Sequence, residues 1–412
     1  MFRLSILVVT LFATSLTAAE NSTWPDFRGP TGNGRAASDK LPTRWSENSN
    51  IRWKVKTEGE GWSTPIVWKN QIWLTSATKD GTKMFAVGYD GNTGKVIKRV
   101  PLLTVRDPEK KNKLNSYASP SPAVSGDVIY FSFGTYGLCA FDLKAQRIRW
   151  MQVFKIDHQE GPGSSVVAHA NMVICHYDGR DQQFVLALNK RDGRMLWKLR
   201  RSIDLKKVPD YSRKAFTTPY IMRTPNGYRM ISPAAQGCYC YDPDTGQELW
   251  RVRYKGFSAV PRPVVFGNLV FVVNDYARPQ IVAIRLGKRG DITDKHVAWK
   301  YPRNGPAMAS PVLSGGRLLF VSNRGIVTCI NAKTGKGIWT KRIGGNFSAS
   351  PIVAGKLAYF FDRAGKATVI EVGDKPKVVA VNKLKEGMMA SPSVLGDRLV
   401  LRTRGHLYCV GK

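Results

Sequence analysis

Beyond about residue 50 the chain alternates apolar and polar positions with a period of two, in short runs broken by Gly, Asn and Asp. The segments VSGDVIYFSFG, VFGNLVFVVND, LSGGRLLFVSN, VAGKLAYFFDR and VLGDRLVLRTR each read as a strand end, a Gly-containing turn and a strand rich in β-branched and aromatic residues. A hydroxyl residue, usually followed by Pro, opens the pattern at Thr64, Ser121, Ser165, Thr218, Ser310, Ser350 and Ser391. Arg262 holds the same slot in one further copy, and the starts lie about 47 residues apart on average. The second half of the unit carries its own mark, an Asp or Asn eight residues before a Trp. The pairs are Asp142/Trp150, Asn189/Trp197, Asp242/Trp250 and Asn331/Trp339. The acid or amide suits the backbone N–H groups of a turn, the Gly within it supplies positive φ, and the Trp offers a large apolar face to the next unit.

Four strands per unit, without sustained helical periodicity, predict an all-β, eight-bladed β-propeller of four-stranded blades. An open solenoid and a seven-bladed ring are the alternatives. The eighth unit stops at Val410, one strand short. Residues 50–58, NIRWKVKTE, carry Trp53 in the Trp slot and are expected to close the last blade, leaving no free edge.

The start of the chain is different in kind. Residues 1–19 join Arg3, an apolar run over 4–13 and a small-residue end at Ala18 and Ala19, the pattern of a cleavable secretory signal. The run is too short to span a bilayer. The first Cys is Cys139, so no lipoprotein anchor follows the signal. The expected mature protein is exported, soluble and periplasmic or extracellular, with an extension over 20–49 and the propeller over 50–412. Trp24, Phe27 and Trp45 argue that the extension packs on the propeller.

Composition then adds charge. Hydrophobic residues make up 43% of the 412 and aromatics 10%, which excludes a disordered polycation. Against 30 Asp and Glu stand 63 Lys and Arg, a formal charge of +33 that attracts anions of any kind. Export makes nucleic acid a poor candidate. In a four-stranded blade, the loop between second and third strands and the connection to the next blade emerge on one face. The longest connections, over 101–116 and 200–214, belong to that face. The candidate anion-contacting residues there are Arg180, Arg278, Arg324, Arg363, Arg402 and Arg404, with Arg262 reaching the central channel.

The turn signature, a small residue then Asp or Asn, Thr-Gly and Trp, resembles the PQQ-like propeller repeat over residues 51–410. That resemblance implies the eight-bladed fold of the quinoprotein dehydrogenases and of cofactor-free periplasmic relatives such as BamB. The dehydrogenases hold PQQ and a calcium ion through Glu, Asn and Asp, and many carry a disulfide between adjacent cysteines. Here Cys238 and Cys240 are separated by Tyr239, and the long loops of the alcohol-oxidising members are missing. The acidic candidates Asp178, Asp275 and Asp362 each have Arg close by in sequence. No bound cofactor, metal or catalytic residue is therefore assigned.

The remaining chemistry is sparse. His158, His169, His176, His296 and His406 show no metal-ligand spacing. His176 and Asp178, two apart on a strand, read as a surface pair. Cys240 and Cys329 occupy a slot held elsewhere by Ala140 and Ala187, which favours structural thiols over disulfides. The expected function is a non-catalytic, BamB-like binding scaffold, a monomer engaging an anionic polymer or an envelope protein. The alternatives are a PQQ-dependent or degenerate quinoprotein oxidoreductase and a saccharide-acting enzyme.

Overall fold

In the computed structural model, which describes residues 23–412, eight sheets follow one another along the chain. The expected signal over 1–19 lies outside the described residues. Blade 1 runs outward through Ile66–Trp68, Gln71–Ala77, Lys83–Asp90 and Val96–Thr104, each strand antiparallel to the one before. Blades 2 to 7 repeat this order with innermost strands starting at Ala123, Val167, Tyr220, Val264, Val312 and Ile352. In blade 8, Ser393–Leu395, Arg398–Arg402 and His406–Val410 are joined by Ile51–Lys56 as the outer strand, with Trp53 opposite Cys409. The ring is thus closed by the N-terminal strand, as the sequence predicts.

Two sequence marks acquire physical reasons. In six blades the hydroxyl at the start of the innermost strand accepts a hydrogen bond from the equivalent backbone N–H of the preceding blade, while Thr64 Oγ1 of blade 1 takes none among the described residues. Thr64 N donates to Ser121 Oγ, Ser121 N to Ser165 Oγ, and Ser165 N to Thr218 Oγ1, at 2.9–3.0 Å. On the other half Arg262 N donates to Ser310 Oγ, Ser310 N to Ser350 Oγ, and Ser350 N to Ser391 Oγ, again at 2.9–3.0 Å. Arg262 has no acceptor to offer Thr218, so the belt is broken there. The Trp on the outer strands of blades 2, 3, 5 and 8 meanwhile lies on the turn Gly of the next blade. A Cβ on Gly94, Gly193, Gly246 or Gly335 would stand 2.6–2.8 Å from, respectively, Trp53, Trp150, a leucine beside Trp197, and Trp299. Trp53, Trp150, Trp299 and Trp339 also donate through Nε1 to a carbonyl of that turn.

The interior is apolar, and all six cysteines are buried and unbridged. Burial pushes the Cys139 thiol up to about 12. One reading is corrected here: His176 and Asp178 are not a surface pair. Both are buried between blades 3 and 4. Arg201 grips Asp178 with two bonds of 2.9 and 2.7 Å and donates further to Ser232 Oγ. His176 Nδ1 donates to the Thr217 carbonyl at 3.0 Å, and the Ser232 hydroxyl lies 2.9 Å from Nε2. The cross-blade partners are far off in sequence, which is why strand alternation alone misplaces the pair.

Residues 24–36 form a strap across one end of the central channel. Trp24 pairs with Val67 of blade 1, the Pro25 carbonyl takes Val124 N of blade 2, and Gly34 and Ala36 pair with Val353 of blade 7. Arg28, at positive φ, reaches between Pro311 O (2.7 Å) and Pro351 O of blades 6 and 7. The exposed inner edges of five blades are thereby covered, counting Arg262 of blade 5, which donates to the Phe27 carbonyl. The chain then passes Leu41, bonded through its carbonyl to the Tyr359 hydroxyl, and Trp45, stacked on Phe361 and held by Asn382.

Two blades depart from the repeat. Blade 4 has a long inner hairpin, Tyr220–Thr224 with Gly227–Ala234. Blade 5 replaces the Thr-Gly turn with an excursion that places Gly290–Asp291 as a fifth, parallel strand beside the outer strand of blade 4, before a four-residue helix, Thr293–His296.

Candidate functional site

With the strap at one end, the channel remains open at the other as a funnel of about 230 Å³. Phe27 forms part of the lining on the strap side, and Trp62, Phe216, Tyr276, Met308 and Met389 stand around it with the hydroxyl belt. Trp62, Phe216, Met308 and Met389 come from the connections between blades and Tyr276 from the second-to-third loop of blade 5, the face where the sequence places the long loops. Two buried polar atoms in this wall, Trp62 Nε1 and Thr64 Oγ1, have no partner among the described residues. Apolar and Met-rich walls adapt to different side chains, and unpaired polar atoms favour a ligand that satisfies them.

Glu160 is the carboxylate among the lining residues. It accepts from Asn112 Nδ2 at 2.7 Å, and Lys214 Nζ stands 3.4 Å from its other oxygen. An ammonium therefore already occupies the position that a cation would need. Among the described residues no three His, Cys, Asp or Glu side chains gather as a metal-ligating group. Asp178 is held by Arg201, Asp362 binds the N–H groups of Ala364 and Lys366, and Asp275 caps its own loop. These three acids sit in blades 3, 5 and 7, so they do not converge on one point as a calcium site would require.

The seven predicted arginines part company. Arg278, Arg324 and Arg404 are exposed on the second-to-third loops of blades 5, 6 and 8. Arg363, half-buried in blade 7, donates to Ser348 Oγ at 2.6 Å and contacts Met308, both at the funnel. Four consecutive blades, 5 to 8, thus carry one Arg each on the second-to-third loop, of which Arg363 touches residues that line the funnel. Arg180, on blade 3, is already bound to Asp157 and Asp210. Arg402 is not available to a partner. It is 1% exposed and donates to Ser63 Oγ, Thr75 O and Ser76 Oγ, tying blade 8 to blade 1. Burial draws its guanidinium down to about 10.

Arg262 does reach the channel, but from within: it is 3% exposed, with Nε on Pro219 O at 3.1 Å and Nη1 3.4 Å from Asp26. Burial, and then the nearby Arg262, lower Arg28 to about 9. Burial lifts Asp26 above its ordinary value, against the pull of Arg262. Sequence reasoning missed Arg28 altogether; its only signal was a basic residue inside an aromatic segment rich in Gly.

One buried group near the funnel predicts acid sensitivity. His158 Nε2 accepts from Thr135 N at 2.9 Å, and burial depresses it to about 4 despite Asp157 and Asp181. The unfolded imidazole binds its proton near pH 6.5, so this contribution is complete above that pH and is lost as pH falls toward 4. The loss amounts to roughly 3 kcal/mol by pH 4. Urea melts at pH 7 and 4.5 should show a smaller acid loss for His158→Gln than for the parent; equal losses would exclude His158 as the cause.

Among the described residues no helix is long and apolar enough to cross a membrane. Comparison with known proteins agrees with the architecture. A tetrathionate hydrolase of Acidithiobacillus ferrooxidans is 25% identical over 146 residues, 31% of this chain and 29% of the relative, so the match spans under a third of that protein. The structure of BamB from Moraxella catarrhalis aligns over 88% of this chain and 99% of its own, at 13% identity and a TM-score of 0.60. A europium-containing methanol dehydrogenase aligns over 96% and 99%, at 11% identity and a TM-score of 0.68. At such identities these likenesses concern the fold. The family model described as outer membrane protein assembly factor BamB matches residues 87–215 and 291–407, more than half of the sequence. With eight closed blades and the Trp–Gly turn in hand, the chain belongs to this PQQ-like β-propeller family.

Proposed function

We propose that this chain is an exported, non-catalytic binding propeller of the cell envelope, which takes a segment of a partner protein at the funnel. The observation that carries the reading is the funnel's make-up, Met and aromatic walls with Trp62 Nε1 and Thr64 Oγ1 unpaired among the described residues; outside its lining, four consecutive blades carry one Arg each on their second-to-third loops. An apolar side chain fits the walls, and acidic neighbours fit the Arg rim. The formal charge of +33 adds steering toward an acidic partner. The family's description as an assembly factor supports a protein as the partner. An engaged Glu160 and scattered acids favour binding over a quinone and calcium centre.

The test is fluorescence anisotropy with a labelled acidic hexapeptide carrying one Phe. Binding should weaken about 10-fold or more when the Phe becomes Ser or when Met389 becomes Ala. Arg324→Gln with Arg404→Gln should weaken it about 5- to 10-fold at low salt and flatten its salt dependence. Equal binding of the Phe and Ser peptides would reject the reading. Dye reduction on adding PQQ, calcium and an alcohol would replace it with an oxidoreductase.

A further inference from the structure

The two departures from the repeat meet at one place. The long inner hairpin of blade 4 and the excursion of blade 5 enclose a cleft of about 750 Å³. It lies at the hairpin-turn ends of the blades, away from the funnel, since the turns at 225–227 and 267–268 border it. Arg223, Arg229, Lys288 and Arg289 line it, and no Asp or Glu does. Arg229 Nη1 donates to the neighbouring Tyr228 carbonyl at 2.7 Å, while no protein acceptor holds Arg223, Lys288 or Arg289 among the described residues. The carboxylates next along these elements are already taken: Glu248 by Arg251, and Asp291 by Arg253 and Arg251. No Cβ contact closes over Gly267, Gly287 or Gly290, which face open space.

The floor supplies a second, independent mark. Leu249 and Trp250 line the cleft at 6% and 3% exposure. In blades 2, 5, 6 and 8 the equivalent Trp donates its Nε1 to a carbonyl of the next turn. In blade 4 the excursion has removed that turn, and Trp250 Nε1 has no acceptor among the described residues; the residue is 3% exposed, and this N–H is not one of the enclosed unpaired donors. An indole N–H that reaches the surface beside a cationic cleft is free to donate to an acceptor oxygen of a ligand.

We infer that this cleft binds a saccharide carrying two or more sulfate or phosphate esters. The ester oxygens would lie between Arg223 and Arg229 on one wall and Lys288 and Arg289 on the other, where guanidinium forks match tetrahedral oxyanions. The sugar ring would cover Leu249 and Trp250, with a ring or ester oxygen accepting from Nε1. The site is separate from the funnel and independent of the reading proposed for it.

Calorimetric titration of the full chain with a trisulfated disaccharide, the matching bisphosphorylated sugar and the unmodified sugar tests the assignment. One esterified sugar should bind at least 20-fold more tightly than the unmodified one, and which of the two does so distinguishes sulfate from phosphate. Arg223→Gln with Arg289→Gln should weaken that binding at least 10-fold, whereas Lys341→Gln with Arg342→Gln, the same charge removed from the exposed outer strand of blade 6, should change it less than 3-fold. Trp250→Phe, which deletes the donor and leaves a small cavity, should weaken binding about 3- to 10-fold while lowering the melting temperature only modestly. Equal losses from both charge pairs, or equal affinity for esterified and plain sugar, would overturn the assignment. A normal far-ultraviolet spectrum for each variant separates loss of binding from loss of fold.

Discussion

Arg201→Ala is expected to destabilise the protein by about 3–5 kcal/mol in urea unfolding, because it leaves Asp178 charged and unpaired between blades 3 and 4. The pair is enclosed, at 2% and 1% side-chain exposure, and it is bidentate. Arg201 also donates to Ser232 Oγ, which in turn meets His176, so a single truncation leaves several buried polar atoms short of partners. Burying both charges was itself costly, and replacing the two together should recover most of the loss. Arg201→Met with Asp178→Leu is therefore expected within about 2 kcal/mol of the parent. A cost below about 1 kcal/mol for Arg201→Ala alone would mean that water reaches the pair and that the interface is looser than its geometry.

The strap should show an effect of similar size. Trp24→Ala is expected to cost about 3–5 kcal/mol, the range for emptying a buried aromatic site. Trp24 is 2% exposed, and its ring lies so close beneath Gly29 that a Cβ there would stand 2.8 Å away. Its backbone pairing with Val67 anchors the strap on blade 1, while Arg28 anchors it on blades 6 and 7. Loss of the ring should free residues 24–36 as a unit, and limited proteolysis should cut within them well below the melting temperature. Trp24→Phe should restore most of the protection. Since Phe27 lines the funnel, the Ala variant should also bind the Phe-bearing peptide at least 10-fold more weakly. Unchanged proteolysis in Trp24→Ala would show that Arg28 holds the strap by itself.

The repeat was legible because its marks are local. A hydroxyl before an innermost strand, and a Trp eight residues after a turn Asp or Asn, sit at fixed distances along the chain. Each makes its contact with the corresponding position of the adjoining blade, so periodicity carries the information. The closing strand was legible for the same reason, through Trp53. What periodicity does not carry is the fate of a single basic residue. Arg262, Arg324 and Arg402 are all loop or strand-end arginines in sequence, yet Arg324 is exposed and the other two are buried. The difference rests on acceptors supplied from distant parts of the chain: Phe27 O for Arg262, Ser63 and Thr75 for Arg402. The cleft between blades 4 and 5 was hidden in another way. Its signal was the failure of the fifth unit to follow the pattern around Trp299, and an irregularity in sequence does not tell what space it leaves.

Joining the first strand to the last has a kinetic meaning. The Tyr408 hydroxyl meets Glu47, 361 residues earlier in the chain, and Ile51 to Lys56 pair with Val410 to His406. Loop-closure entropy rises with the logarithm of such a separation, so this contact gains least until the intervening blades have shortened the path between its ends. Blades 1 to 7 can each form from neighbouring strands as they leave the ribosome, but the strand Ile51–Lys56 must wait for residues 393–410 before blade 8 has a complete sheet. The expected order is sequential assembly followed by one late latching step, and circular permutants that open the ring between blades 4 and 5 should make that step local and fast.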